Sequence, residues 1–456
     1  MVTMTRPAAA RLSPEACGRS SVATTLAFHH DQIGFLAAAL RANPDIVRIR
    51  LLGTPLIMVN HPDYVQHVLV DNHENYNKDT ALFRAVRPVL RNGLIGAVGG
   101  ELWHRQRRLM QPSFHRPKTA AFVGNMTAET ADMLERWRQR HPGGGVVDVS
   151  SETGQLALRI VGRNLFGTDV GQSSEALEQA FTRANTIMTD FFRFPFPPLS
   201  VPTPAHLKLR RLIAWFDRYV DELIERRRAP GYQGDDLLAV LAEAIDEETG
   251  EPMPAQQLHE EVVNIMIGGY ETATLAVSWL LHHVARDQEI QRRLHAEVDA
   301  ELGGRTPGFG DLGRLTYLRM VADETLRMNT PAWQTMRGVV HDDEIDGYRI
   351  PARSGVYINY FTLHRHPEFW PDPERFDPER FTAAGKAARP RNAYQPFGSG
   401  PRICIGKHFA LAELLVITAM ILQTYRLRPA PGAPVRVKPM ITLRPDRPIR
   451  LELEAR

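Results

Sequence analysis

FGSGPRICIG, residues 397–406, carries one of only two cysteines in a chain of 456 residues. Cys404 stands in a loop of three glycines, a proline and an arginine. The stretch that follows, KHFALAELLVITAMILQTY (407–425), is apolar on nearly every side and reads as a helix buried in a large core. The cysteine therefore precedes a helix N-terminus, whose amides favour a negative charge. Gly398, Gly400 and Gly406 let the backbone bend and let something flat come close. Thiolate, close approach and donated N–H groups point to a metal ligand whose charge is tempered by hydrogen bonds. The alternative is an inert cysteine in a glycine-rich turn. A nucleotide loop does not fit, because GSGPRI lacks the third glycine of G-x-G-x-x-G and Pro401 removes an amide.

The rest of the chain bounds what such a site can do. Its length suits two or three ordinary domains, or one large one. Apolar residues make up 43% and charged residues 23%, and the net charge of +3 is too mild to argue for nucleic acid. Two cysteines cannot make a disulfide framework, so a cytoplasmic location is expected. MVTMTRPAAARLSPEACGRSS has no apolar core of signal-peptide length, and no long uncharged apolar run calls for a membrane span. Residues 1–30 read as a flexible tail and 31–456 as a single domain. No second half resembles a flavin or nicotinamide domain, so any electrons come from another protein.

Periodicity makes the chain mostly helical. DIVRIRLLGTPLIMV (45–59) alternates as a strand, a Gly-Thr-Pro turn and a second strand. HPDYVQHVLV (61–70) follows as a short helix, and TMRGVVHDDEIDGYRIPARSGVYINY (335–360) is a second β region turning at Asp346-Gly347. Long amphipathic helices fill the middle. Between two of them RFPFPPLSVPTP (193–204), with five prolines, reads as an ordered connector or lid. LHEEVVNIMIGGYETATLAVSWLLHHVARD (258–287) is one long helix with a polar interruption at Gly268, Gly269, Glu271 and Thr272. Two adjacent glycines cost a helix roughly 2 kcal/mol against alanines. Tight helix packing or an opening over a bound group would each explain them. Thr272 can bond back to the carbonyl of residue 268, and an acid beside a hydroxyl can relay protons. HEEVV (259–263) lacks the second histidine of the zinc motif H-E-x-x-H.

FGSGPRICIG is similar to the heme-binding signature of the cytochrome P-450 family, F-x-x-G-x-R-x-C-x-G, with Phe397, Gly400, Arg402, Cys404 and Gly406 in place. The resemblance implies a mainly α (α+β) fold, a helical bundle around heme b with small β-sheets at one side. It implies Cys404 as the thiolate ligand of heme iron and Arg402 as a partner of a heme propionate. The long helix resembles the family's distal helix, [AG]-G-x-[DE]-T-[ST], with Ala273 departing from the last position. Gly268 then belongs to the cofactor site, and Glu271 and Thr272 to catalysis. Glu324 and Arg327 in ADETLRMNTP, followed by PERF at 378–381, resemble the family's buried Glu-Arg-Arg cluster, with Arg380 as third member. An earlier PERF at 373–376 offers Arg375 instead. Trp103 and Arg107, i and i+4 in GGELWHRQRRLMQPSFH, match the family's propionate-holding helix, and Arg337 matches another propionate arginine.

The activity so implied is monooxygenation: one atom of O2 enters an unactivated C–H or C=C bond of a lipophilic molecule. Electrons from NAD(P)H would arrive through a ferredoxin and its reductase; Arg105, Arg108 and Lys407 read either as part of a docking face or as solvated surface charge. HRHPEFWPDPERFDPERF (364–381) looks more like fatty-acid, terpenoid and eukaryote-type members than the camphor-hydroxylase type. Phe83, Leu94, Ile95, Ile267 and Trp333 suggest an apolar substrate cavity. A polyketide or terpenoid natural product is the expected substrate, with a fatty acid as the alternative. A heme protein that rearranges or binds ligands without activating O2 is the other class, one that has no need of the Glu271–Thr272 pair. A monomer is expected.

Overall fold

The computed structural model describes residues 11–15, 20–41, 43–51, 53–168, 170, 174–193, 197–228 and 236–456. Cys17 lies outside these residues, as do 194–196 of the proline-rich connector. The chain forms two compact units, and it passes from one to the other at Ile403–Cys404.

The first unit comprises Met1–Phe83, Trp333–Glu374 and Arg389–Ile403. Its centre is a five-stranded sheet, in the order Ile46–Leu51, Thr54–Val59, Gly355–Asn359, Gln334–Val339, Tyr76–Asn77. The first two strands pair antiparallel from Ile46 with Val59 to Leu51 with Thr54. Thr54 and Pro55, expected in the turn, thus begin the second strand, and Gly53 just before them has φ of 83°. Proline is tolerated there because pairing on the strand's other side begins only at Leu56. Ile46, Ile57, Val59, Val356 and Ile358 make one apolar face. Asp343–Ile345 and Tyr348–Ile350 form a hairpin whose turn residues Asp346 and Gly347 are both left-handed.

Part of the expected tail is ordered here. Residues Arg11–Leu12 pair with the Tyr348–Ile350 strand, and Ser21–His30 is a helix. The Ser20 hydroxyl caps that helix by accepting from Ala23 N, and Phe28 meets Phe35 edge-on at 5.8 Å. Its apolar residues follow no strong stripe, so composition alone gave no helical signal.

The second unit comprises Arg84–Ala332, Arg375–Ala388 and Cys404–Arg456. Its axis is the helix Ala255–Arg286, buried along most of its length. Gly269 gives it close packing: a Cβ there would lie 2.9 Å from Val161 of the Val149–Phe166 helix. Among the described residues, only the Lys407–Thr424 helix is long and apolar enough to cross a membrane, and most of it is buried inside the protein. The helices Ser174–Arg193 and Pro204–Arg228 stand on either side of the proline-rich connector in the chain. The hairpin Val437–Pro439/Leu443–Pro445 and a sheet of Tyr425–Pro429, Arg450–Ala455 and Gly145–Asp148 complete the unit.

Candidate functional site

The Cys404 side chain keeps accessible surface although protein atoms crowd around it. Burial pushes its pKa up. The Gly406 N–H, which donates to the sulfur, and the charges of Arg107 and Lys407 oppose that rise without cancelling it. A thiolate here therefore calls for a further cation, which a bound iron would supply. Among the described residues no three His, Cys, Asp or Glu side chains stand together as metal ligands. Gly406 is also the N-cap of the Lys407–Thr424 helix. Trp103 is buried and Arg107 half-buried on the helix Gly100–Met110; Arg107 donates to Gln111 Oε1 at 3.1 Å, and burial lowers its pKa.

The loop before the cysteine belongs to the first unit. Gly398 and Gly400 have φ of 70° and 69°, and a Cβ on Gly400 would sit 1.8 Å from the Leu69 carbonyl oxygen. Only glycine fits this left-handed, backbone-on-backbone approach. Phe397 is half-buried. Arg402 is pushed down to about 9 by burial and then by the charge of Arg337. Arg337, on the strand Gln334–Val339, is buried and bonded to Thr335 Oγ1 and the Met336 carbonyl. Lys78 joins them: burial, then the charges of Arg402 and Arg337, hold its pKa well below the ordinary value. Three basic side chains crowded in one unit disfavour one another's charge, which an anionic group among them would relieve. Lys78 went unrecognised in the sequence, since YNKD (76–79) has no local pattern to distinguish it.

From Gln257 to Ala285 the long helix is buried except at Ile267, Gly268, Gly269, Thr272 and His283. The first four form one accessible turn. The helix does not break there: Thr272 Oγ1 donates to the Gly268 carbonyl at 2.6 Å within continuous α-helix. Gly269 serves packing, whereas Gly268 faces Ile95, whose Cδ1 is 3.3 Å from where a Cβ would be.

Glu271 does not share this outlook. It is buried, and its Oε1 accepts from Asn185 Nδ2 at 2.7 Å, from the Thr442 hydroxyl, and from Arg444 Nε and NH2 at 2.9 and 2.7 Å. The side-by-side relay expected of Glu271 and Thr272 is thus corrected. The acid is committed to the Ser174–Arg193 helix and the C-terminal hairpin, while the hydroxyl is committed to its own helix.

Glu324, Arg327 and Arg380 meet in the second unit. Glu324 accepts from Arg327 Nε and NH2 at 2.7 and 2.9 Å, with neither side chain exposed. Arg380 Nε lies 3.5 Å from Glu324 Oε1, and the Asp377 N–H donates to the same oxygen at 2.8 Å. The first PERF enters through its backbone: Arg327 NH2 reaches the Arg375 carbonyl at 3.3 Å.

The expected cavity residues divide. Ile95 and Ile267 keep accessible surface; Phe83 and Leu94 are nearly closed off, at 7% and 8%. Trp333 has no exposure at all and is part of the first unit's packing, its carbonyl accepting from Tyr360 N at the start of a strand. Arg105 and Arg108 are not a free docking face either. Both pair with the buried Asp246, at 3.0 and 2.9 Å. His259 of HEEVV lies between Asp221 and Asp217, at 2.8 and 3.1 Å.

Residues 24–453 match the family described as Cytochrome P450. The chain belongs to the cytochrome P450 family. It is similar to cyclooctatin synthase of Streptomyces melanosporofaciens, at 34% identity over 92% of this chain and 90% of that protein. Cyclooctat-9-en-7-ol 5-monooxygenase of the same organism is also 34% identical, over 90% and 88%. Pentalenene oxygenase of Streptomyces avermitilis is 33% identical over 92% of each. The crystal structure of the cytochrome P450DA heme domain aligns with a TM-score of 0.87 and 25% identity, covering 97% of this chain and 98% of that one. The chain is accordingly a P450 monooxygenase with a heme-iron cofactor, a need for redox partners and a lipophilic substrate.

Proposed function

We propose that the protein hydroxylates or epoxidises a terpenoid in natural-product biosynthesis, with Cys404 as the thiolate ligand of heme b. The observation that carries the reading is the enclosed yet accessible Cys404 thiol, bonded by the Gly406 N–H and flanked by the Arg107 charge. Heme, when bound, supplies O2 activation and oxygen-atom transfer. The chain's own part is positioning and proton handling. Arg402, Arg337 and Lys78, with Trp103 and Arg107, are assigned to the heme carboxylates; Phe397, Gly400 and Gly406 shape the cysteine loop. Thr272 Oγ1 holds the proton it donates to the Gly268 carbonyl and passes one onward during turnover. Glu271 fastens the C-terminal hairpin to the long helix, and Glu324, Arg327 and Arg380 hold the structure behind the cysteine.

Electrons come from NAD(P)H through a ferredoxin and its reductase, in the cytoplasm, to a monomer of this chain. The terpenoid class rests on the named activities of the Streptomyces relatives and on the apolar Ile95 and Ile267 at the accessible turn. Titrating the ferric protein with a panel of diterpene and sesquiterpene alcohols, polyketide lactones and fatty acids tests the substrate. Spin-state shifts at low concentrations with terpenoids support it. Shifts with fatty acids alone transfer the assignment to a fatty-acid hydroxylase.

A further inference from the structure

Residues 90–96, LRNGLIG, are fastened to the first half of the long helix by an unusual density of polar contacts. The Asn92 N–H donates to Glu260 Oε2 at 3.2 Å, Leu94 N–H to Glu261 Oε2 at 3.0 Å, and Ile95 N–H to Asn264 Oδ1 at 3.0 Å. Asn264 Nδ2 returns a bond to the Leu90 carbonyl at 2.8 Å, and Gln106 Nε2 reaches the Asn92 carbonyl at 2.6 Å. Arg91 adds an ion pair to Asp217 at 2.5 Å. Glu261, Asn264 and Gln106 are essentially unexposed, at 0%, 2% and 0%. The approach is so close that a Cβ on Gly93 would lie 2.2 Å from Asn264 Nδ2. A loop whose amides are satisfied by buried side chains of one helix has one position relative to that helix.

That position matters because of helical spacing. Asn264, Gly268 and Thr272 stand at i, i+4 and i+8, on one face. Ile95 is bonded to Asn264 through its N–H and lays its Cδ1 over Gly268, one turn on, beside the carbonyl that Thr272 holds. We propose that Asn264 and Glu261 are positioning residues for Ile95, and that Ile95 so held sets how bulky a group can approach Thr272. This rests on the reading of Thr272 as lying on the oxygen-binding side of a heme.

The test uses ferric holoprotein and two iron-binding probes of different bulk, imidazole and 4-phenylimidazole, titrated by absorbance. Ile95→Ala should raise 4-phenylimidazole affinity relative to imidazole by about tenfold, and Ile95→Phe should lower it. Asn264→Ala and Gly93→Ala should move the ratio as well. Combining Asn264→Ala with Ile95→Ala should add little to Ile95→Ala alone, because both act through one side chain. Additive effects, or a ratio unmoved by Ile95→Ala and Ile95→Phe, would overturn the proposal. Hydrogen exchange over residues 90–96 reads the fastening without the iron. Asn264→Ala should speed it about fivefold, and unchanged exchange would count against the positioning role. A wild-type protein that binds heme but shows no shift with imidazole would instead fall on the assignment of the heme site, and exchange would still decide the fastening.

Discussion

Replacing Glu324 by alanine removes a carboxylate with no exposed surface from three hydrogen bonds and a further cation. Arg327 Nε and NH2 and the Asp377 N–H donate to it at 2.7, 2.9 and 2.8 Å, and Arg380 lies 3.5 Å away. Arg327 is equally buried, so its charge stays in the interior with the Arg375 carbonyl, at 3.3 Å, as a remaining acceptor. Leaving one partner of a buried pair behind costs ~3–5 kcal/mol. Unfolding entropy of about 2.1 cal/mol/K per residue, over 456 residues, comes to roughly 1 kcal/mol/K. The melting temperature should therefore fall by about 3–5 °C, read by calorimetry on the holoprotein. Glu324→Leu combined with Arg327→Leu should recover part of the loss, because no orphaned charge remains at position 327. The reasoning fails if Glu324→Ala melts within about 1 °C of wild type, or if the double variant loses the sum of both single losses.

Thr272→Ala should keep the wild-type spectrum and near-normal substrate affinity, yet lose product ~10²-fold or more while NADPH oxidation runs on to hydrogen peroxide; full coupling in a ferredoxin-driven assay would remove the proton role. Glu261 is pushed up to about 8 by burial, with Glu260 adding and the Leu94 N–H opposing. Its folded pKa exceeds the unfolded one, so the fold takes up a proton, and its stabilising contribution is lost as pH rises from the ordinary carboxylate range to about 8. Wild type should lose about 1.4 kcal/mol per pH unit more than Glu261→Gln across that window, and parallel urea midpoints would refute the assignment. Lys78→Met should speed heme loss to an acceptor apoprotein, and an unchanged rate would take Lys78 out of the carboxylate-binding set.

What could be read in the sequence was what short spacing encodes. The Glu324–Arg327 pair at i, i+3 and the Thr272 back-bond at i, i+4 form as helical spacing allows, whereas the cysteine loop was legible only through its glycines and its resemblance to a known signature. The hairpin at Asp346–Gly347 followed from turn chemistry. What escaped depends on partners distant in the chain. Glu271 is held by Thr442 and Arg444, and Arg105 and Arg108 by Asp246, which no local pattern announces. Trp333 was expected in the cavity from the family resemblance, but enclosure on every side is a tertiary property. The helix Ser21–His30 was hidden by small and polar residues that rely on a cap and an aromatic contact.

The central claim, that Cys404 ligates the heme iron as a thiolate, is tested most directly by the absorption spectrum of the reduced carbon monoxide complex. Wild type and Cys17→Ser should both show the strongly red-shifted Soret band of a thiolate-ligated heme, and Cys404→Ser should lack it. A red-shifted band that survives in Cys404→Ser, or one lost in Cys17→Ser, would contradict the account.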